Sequence, residues 1–202
     1  MTDIINTFLN NIQETTFIEG IAVFFGIISV WYARKESILV FPTGIISVLL
    51  YVYICIGVKL YADMGINAFY FIMSIYGWYN WTHQNGKVKE RVISRTTNKE
   101  KIYIIIALIV FFIILYYILS QHTDSTVPII DSLTTSIFLV GMWLMALKKV
   151  ENWTFWIIGD LISIPLYISK DLILTSFQFF IFLILAILGL IEWRKRLLTI
   201  NL

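Results

Sequence analysis

The chemistry of this chain starts with an acid inside an apolar segment. Asp160 lies within WTFWIIGDLISIPLYIS. A carboxylate at that depth of a bilayer costs several kcal/mol unless it is paired, wetted or protonated. Trp153, Trp156, Asp160, Ser163 and Tyr167 step by three, four, three and four residues, so they share one helical face. A salt bridge is one use for the acid, yet no Lys or Arg lies at comparable depth in another apolar segment. That favours a ligand or water cavity, with a proton relay as a third use. The carboxylate would accept hydrogen bonds from hydroxyls or balance a cationic ring.

A second polar and aromatic face lies in YADMGINAFYFIMSIYGWYNW, from Tyr61 to Trp81. Asn67, Phe71, Ser74, Trp78 and Trp81 step by four, three, four and three. Amide, hydroxyl and flat aromatic surfaces together suit a planar polar molecule. Trp and Tyr at a helix end also form interfacial belts, and Trp81 is open to both readings. Asn67 is a candidate for the site, with an interhelical hydrogen bond as the structural alternative. Asp131, followed by Thr134 and Thr135, is either an N-cap or a site residue. Gln178 falls one residue from the place of Asn67 in an internal repeat set out below, so each copy would carry a buried amide. The sole cysteine, Cys55, reads as packing, and His83 and His122 lie in loops. No nucleophile–base pair, phosphate-binding glycine loop or metal-ligand spacing occurs, so neither an enzyme nor a bound cofactor or metal is expected.

The elements that position these residues follow from hydropathy. The 202 residues are 59% hydrophobic and 14% charged, and long apolar runs recur along nearly the whole chain. That is an all-α integral membrane protein, read as a single membrane domain over 1–202. The runs are continuous rather than alternating, which argues against a β-barrel. Seven transmembrane helices are expected at about 17–33, 38–57, 61–82, 101–119, 127–147, 153–169 and 172–193. The first run lacks a basic segment before it and is expected to remain in the mature protein.

Thirteen of the fifteen Lys and Arg fall on one side of these spans. They are Arg34 and Lys35, the six between spans three and four, Lys148 and Lys149, and the trio Arg194 to Arg196. Lys59 and Lys170 lie opposite, with Asp3, Glu14, Asp63, Asp124 and Asp171. The positive-inside rule therefore puts the N-terminus outside and the C-terminus in the cytoplasm of a cell membrane. The net charge of +2 carries no indication of nucleic acid. The loop from His83 to Glu100 reads as a solvated linker.

A repeat lies beneath this pattern. Phe41-Pro-Thr-Gly44 and a run closing on Gly77 to Trp81 parallel Trp156-Ile-Ile-Gly159 and a run closing on Gly189 to Trp193. Residues 17–82 and 127–193 are thus expected to be two three-helix units in the same sense, with 101–119 as the linking helix. Such parallel repeats hold a substrate between them near the midplane. Pro42 and Pro165 are expected to kink the second helix of each unit.

Several motifs carry a family resemblance: FPTGIISVLLY from Phe41, LYADMG from Leu60, YGWYNW from Tyr76 and TDSTVPIID from Thr123. KKVENWTFWIIGDLISIPLY from Lys148 and ILGLIEW from Ile187 complete the set. In this order they resemble the Pnu family of vitamin transporters, over roughly Phe17 to Arg196. The resemblance implies a 3+1+3 fold like a full-length relative of the SWEET sugar transporters. It implies uptake of nicotinamide riboside by facilitated diffusion, trapping by a cytoplasmic kinase that feeds NAD biosynthesis, and homotrimers. It matches Trp78 and Trp81 to a WxxW pair, and Trp156, Asp160 and Tyr167 to the span-six face. Asn67 stands where Gln is usual, a shift that could retune the pocket toward thiamine or another small planar vitamin.

Overall fold

The computed structural model describes residues 16–57, 61–84, 87–88 and 90–200. Among the described residues seven helices appear: α1 (Phe17–Arg34), α2 (Val40–Gly57), α3 (Tyr61–Thr82), α4 (Asn98–His122), α5 (Pro128–Ala146), α6 (Asn152–Ser169) and α7 (Ile173–Ile200). A small antiparallel hairpin, β1 (His83–Gln84) with β2 (Lys87–Val88), follows α3. The helix starts follow local chemistry. The Thr16 hydroxyl accepts from the Glu19 N–H at 3.2 Å. Thr97 and Glu100 form a reciprocal capping box, and Pro128 opens α5, where no N–H is needed. Pro42 is the third residue of α2, in the turn whose N–H groups lack helical partners, so it begins that helix rather than kinking it. Pro165 does lie inside α6.

Among the described residues, five helices (α1, α2, α4, α5 and α7) are long and apolar enough to cross a membrane. The two that fall short, α3 and α6, carry Asp63 and Asn67, and Asn152 and Asp160. Helices α1, α2 and α3 pack in series, as do α5, α6 and α7. The two groups meet through α1 with α7 and α3 with α5. Helix α4 packs on α5 and leaves Ile102, Ile106, Ile109 and Ile113 outward.

The two groups close alike at the basic end. The Trp81 indole N–H donates to the Met145 carbonyl, and that of Trp193 to the Ala33 carbonyl, each at 3.0 Å. These bonds bring a second donor to carbonyls at the ends of α5 and α1 that already accept the Lys148 and Glu36 backbone N–H groups. Past those ends Glu36 and Lys148 both adopt left-handed backbone, φ 61° and 57°. Gly77 and Gly189 admit close neighbours, where an added Cβ would stand 2.5 Å from the Phe41 ring and 2.6 Å from the Trp153 ring. Each partner is 112 residues from its counterpart: Ala33 and Met145, Phe41 and Trp153, Gly77 and Gly189, Trp81 and Trp193. On that register Gly44 corresponds to Trp156 and Ser47 to Gly159, three residues from the pairing of Gly44 with Gly159 expected from the motifs.

Segment 90–97 is packed rather than a free solvated linker. Ile93 is buried, and the Arg91 N–H donates to the Trp81 carbonyl at 3.0 Å. Ser94 bonds Lys148 and Val150 through its backbone, and the Thr96 N–H donates to the Glu151 carboxylate. The reason is an apolar residue between two strand-like backbone contacts, inside a stretch otherwise polar. Asp3, Glu14, Lys59 and Lys89, all part of the charge bias, lie outside the described residues.

Candidate functional site

A cavity of about 530 Å³ lies between the two groups of helices, within the range of small-molecule sites. Every helix except α4 lines it. At the basic end it stops on Phe41 and Trp153, each 1% exposed. Beneath them Trp81 and Trp193 complete a plug of four rings, with centroids 5.0 to 5.8 Å apart. The Lys148 ammonium is fully buried under this plug, 2.7 Å from the Glu36 carboxylate and 4.7 Å from the Trp81 ring centroid. At the other end the cavity reaches Asp63, which is exposed.

Helix α6 presents Trp153, Trp156, Asp160, Ser163 and Tyr167 to the cavity, all on the face that the three-and-four spacing defines. Asp160 is 1% exposed, and neither carboxylate oxygen has a hydrogen-bond partner among the described residues. Such a group is costly unless a ligand, a proton or water meets it.

Helix α3 is turned relative to its expected face. Asn67 and Ser74 line the cavity, but with Asp63, Ile66 and Tyr70; Phe71 and Trp78 do not. The inward stripe steps four, three, four, three and four through Asp63, Asn67, Tyr70, Ser74, Gly77 and Trp81. Phe71 and Trp78 flank it on the side away from the cavity, with Trp78 41% exposed, the place of an interfacial belt residue. Trp81 is buried in the plug and does not line the cavity. The Asn67 amide donates to the Asp63 carbonyl of its own helix at 2.9 Å, not to another helix.

Asp131 is neither an N-cap, a position held by Val127, nor a lining residue. Its carboxylate takes the Lys170 ammonium at 2.7 and 2.9 Å and the Ser125 hydroxyl at 2.6 Å. Thr135 and Gln178 do line the cavity, and a side-chain hydrogen bond joins Gln178 to Tyr51 on α2. Tyr51, Tyr70, Phe138 and Phe179 are lining residues that sequence reasoning missed. Tyr70 had a signal, three residues past Asn67 and four before Ser74. No Lys or Arg is among the lining residues.

The arrangement can enclose a small planar molecule against aromatic rings and neutralise one positive charge. Comparison with known proteins agrees in class. The family described as "Nicotinamide mononucleotide transporter" matches residues 16–195. The chain is 24% identical to the nicotinamide riboside transporter PnuC of Escherichia coli strain K12, over 89% of this chain and 86% of that protein. It is 25% identical to the PnuC of Neisseria mucosa, over 89% and 73%. It is 24% identical to the riboflavin/roseoflavin transporter RibM of Streptomyces davaonensis, over 85% and 81%. In fold it is similar to the crystal structure of the vitamin B3 transporter PnuC, with TM-score 0.70 at 22% identity, over 95% and 87% of the two chains.

Proposed function

The chain belongs to the nicotinamide mononucleotide transporter family, and on that premise we propose that it takes nicotinamide riboside into the cell. The protein is a multi-pass membrane transporter rather than an enzyme. One observation carries the substrate reading: a buried, unpartnered carboxylate, Asp160, in a cavity whose lining residues include no Lys or Arg. The riboside has a cationic pyridinium, a carboxamide and ribose hydroxyls, and no phosphate. Asp160 meets the cation, and Trp156, Phe138, Tyr70 and Tyr167 offer ring faces to it. Asn67, Ser74, Thr135, Ser163 and Gln178 supply donors and acceptors for the polar groups. The mononucleotide of the family's description bears an anionic phosphate, for which this cavity has no counter-charge.

The reading extends to the whole machine. Residues 17–82 and 127–193 act as two copies of a three-helix unit, joined by α4 in a SWEET-like 3+1+3 order; the 112-residue register and the matched indole bonds support it. The N-terminus faces outward and the basic end lies in the cytoplasm. Transport is facilitated diffusion, made one-way by a cytoplasmic kinase that phosphorylates the riboside. The exposed face of α4 is available to a homotrimer. Thiamine is the second reading, because its thiazolium is also a cation on a flat ring.

Calorimetry on the purified protein tests this with three ligands: the riboside, its mononucleotide and thiamine. Binding of the riboside alone is expected. Binding of thiamine alone keeps the cation site and overturns the substrate. Binding of the mononucleotide as tightly as the riboside overturns the charge argument.

A further inference from the structure

The open end of the cavity holds a second acid whose role the binding site does not explain. Asp63 lines the cavity in the first turn of α3, is exposed, and has no ion-pair partner among the described residues. It stands within electrostatic range of Asp131 and Lys170. Lys170 is the one Lys or Arg at this end among the described residues, and it lies 5.8 Å from the ring centroid of Tyr167, itself a lining residue. Left free, that ammonium would oppose a cation entering the cavity. Asp131 holds it with both carboxylate oxygens, while Ser125 holds Asp131. The pair cancels, and Asp63 remains as the acid that lines the entrance itself, with Glu19, Asp124 and Asp171 adding negative charge at the same end. Further in stands the unpartnered Asp160, the group proposed to meet the cation.

We infer that Asp63 and the Asp131–Lys170 pair form a cation-selecting vestibule, in which Asp63 attracts the substrate and Asp131 is a positioning residue that neutralises Lys170. This rests on the proposed uptake of a cationic riboside. Charges lining a cleft raise the local concentration of a counter-ion and speed its capture, and salt screens the effect. The vestibule thus acts on entry and on discrimination by charge, whereas Asp160 acts on the bound state.

Uptake into vesicles holding the purified protein tests this with two probes of nearly the same shape, the cationic riboside and its neutral dihydropyridine form. The readout is the preference for the cation, the ratio of the two kcat/KM values, at low and high salt. Asp63→Asn is expected to lower that preference roughly fivefold to tenfold at low salt and little at high salt. Asp131→Asn should lower it further by freeing Lys170, and the double variant with Lys170→Gln should restore it. Lys170→Gln alone should raise it. An unchanged preference in Asp63→Asn, or no rescue of Asp131→Asn by Lys170→Gln, overturns the vestibule while leaving the transporter reading intact. Failure of the unaltered protein to take up either form overturns both.

Discussion

The basic end of the molecule and the cavity above it are assembled from positions 112 residues apart, yet they use the pairing in opposite ways. At the basic end the partners do the same work. Trp81 and Trp193 bond equivalent carbonyls, and Gly77 and Gly189 receive equivalent rings. In the cavity the partners differ in kind. Val48 corresponds to Asp160, Gly44 to Trp156, Gly26 to Phe138 and Asp63 to Thr175. Likeness persists where two helix ends must be closed, and unlikeness appears where one unsymmetrical molecule must be held.

The largest expected effects test the likeness. Trp81→Ala and Trp193→Ala should each lower stability by about 3–5 kcal/mol, since each removes a buried ring and its hydrogen bond. Denaturation of both in detergent checks this, and a large loss in only one would break the equivalence. Glu36→Gln comes next, at about 3 kcal/mol, because it leaves the fully buried Lys148 ammonium only the exposed Glu90 carboxylate, at 3.4 Å. Lys148→Met should cost less, as Glu36 keeps Arg196 at 2.8 Å. The reverse order in thermal melts would refute this account of the pair.

A smaller effect sharpens the contrast inside the cavity. Asp160→Asn should weaken riboside binding at least tenfold, about 1.4 kcal/mol, while melting higher than the unaltered protein. Val48→Thr, in the opposite wall, should stay within about threefold. Calorimetry and melting curves on both decide it; equal losses would mean that the walls do not divide the work.

The smallest effect concerns segment 90–97, which docks on the turn between α5 and α6. Burial acts to raise the Glu100 carboxyl, but hydrogen bonds from Lys149 and Thr97 outweigh it and leave the group below its ordinary value. Its stabilisation is therefore present above the unfolded value, about 4.3, and is lost as pH falls through the lower folded value. The stability difference between the unaltered protein and Glu100→Gln should shrink on acidification across that window. A difference flat with pH would remove Glu100 from the docking of this segment.

Much of this was legible in the sequence because hydropathy acts on whole segments. Helix α3 begins and ends where expected, and α6 starts one residue early. The face of α6 was readable because Asp160 fixes its phase: an isolated acid among apolar residues has to point inward. Helix α3 has no such anchor, and Asn67, Ser74 and Trp81 fit two stripes equally well. Only packing decides between Tyr70 with Gly77 and Phe71 with Trp78, and Gly77 decides it by admitting the Phe41 ring. Asp131 escaped for another reason. Its partner Lys170 lies 39 residues away on another helix end, and no local pattern reports such a pair.

The Glu36–Lys148 contact also bears on symmetry. The two residues occupy one register, 112 residues apart, in the same left-handed backbone state. Two identical three-helix chains meeting through that position would set glutamate against glutamate or lysine against lysine. A single chain places one of each, a bond that no symmetric pairing of identical chains could make.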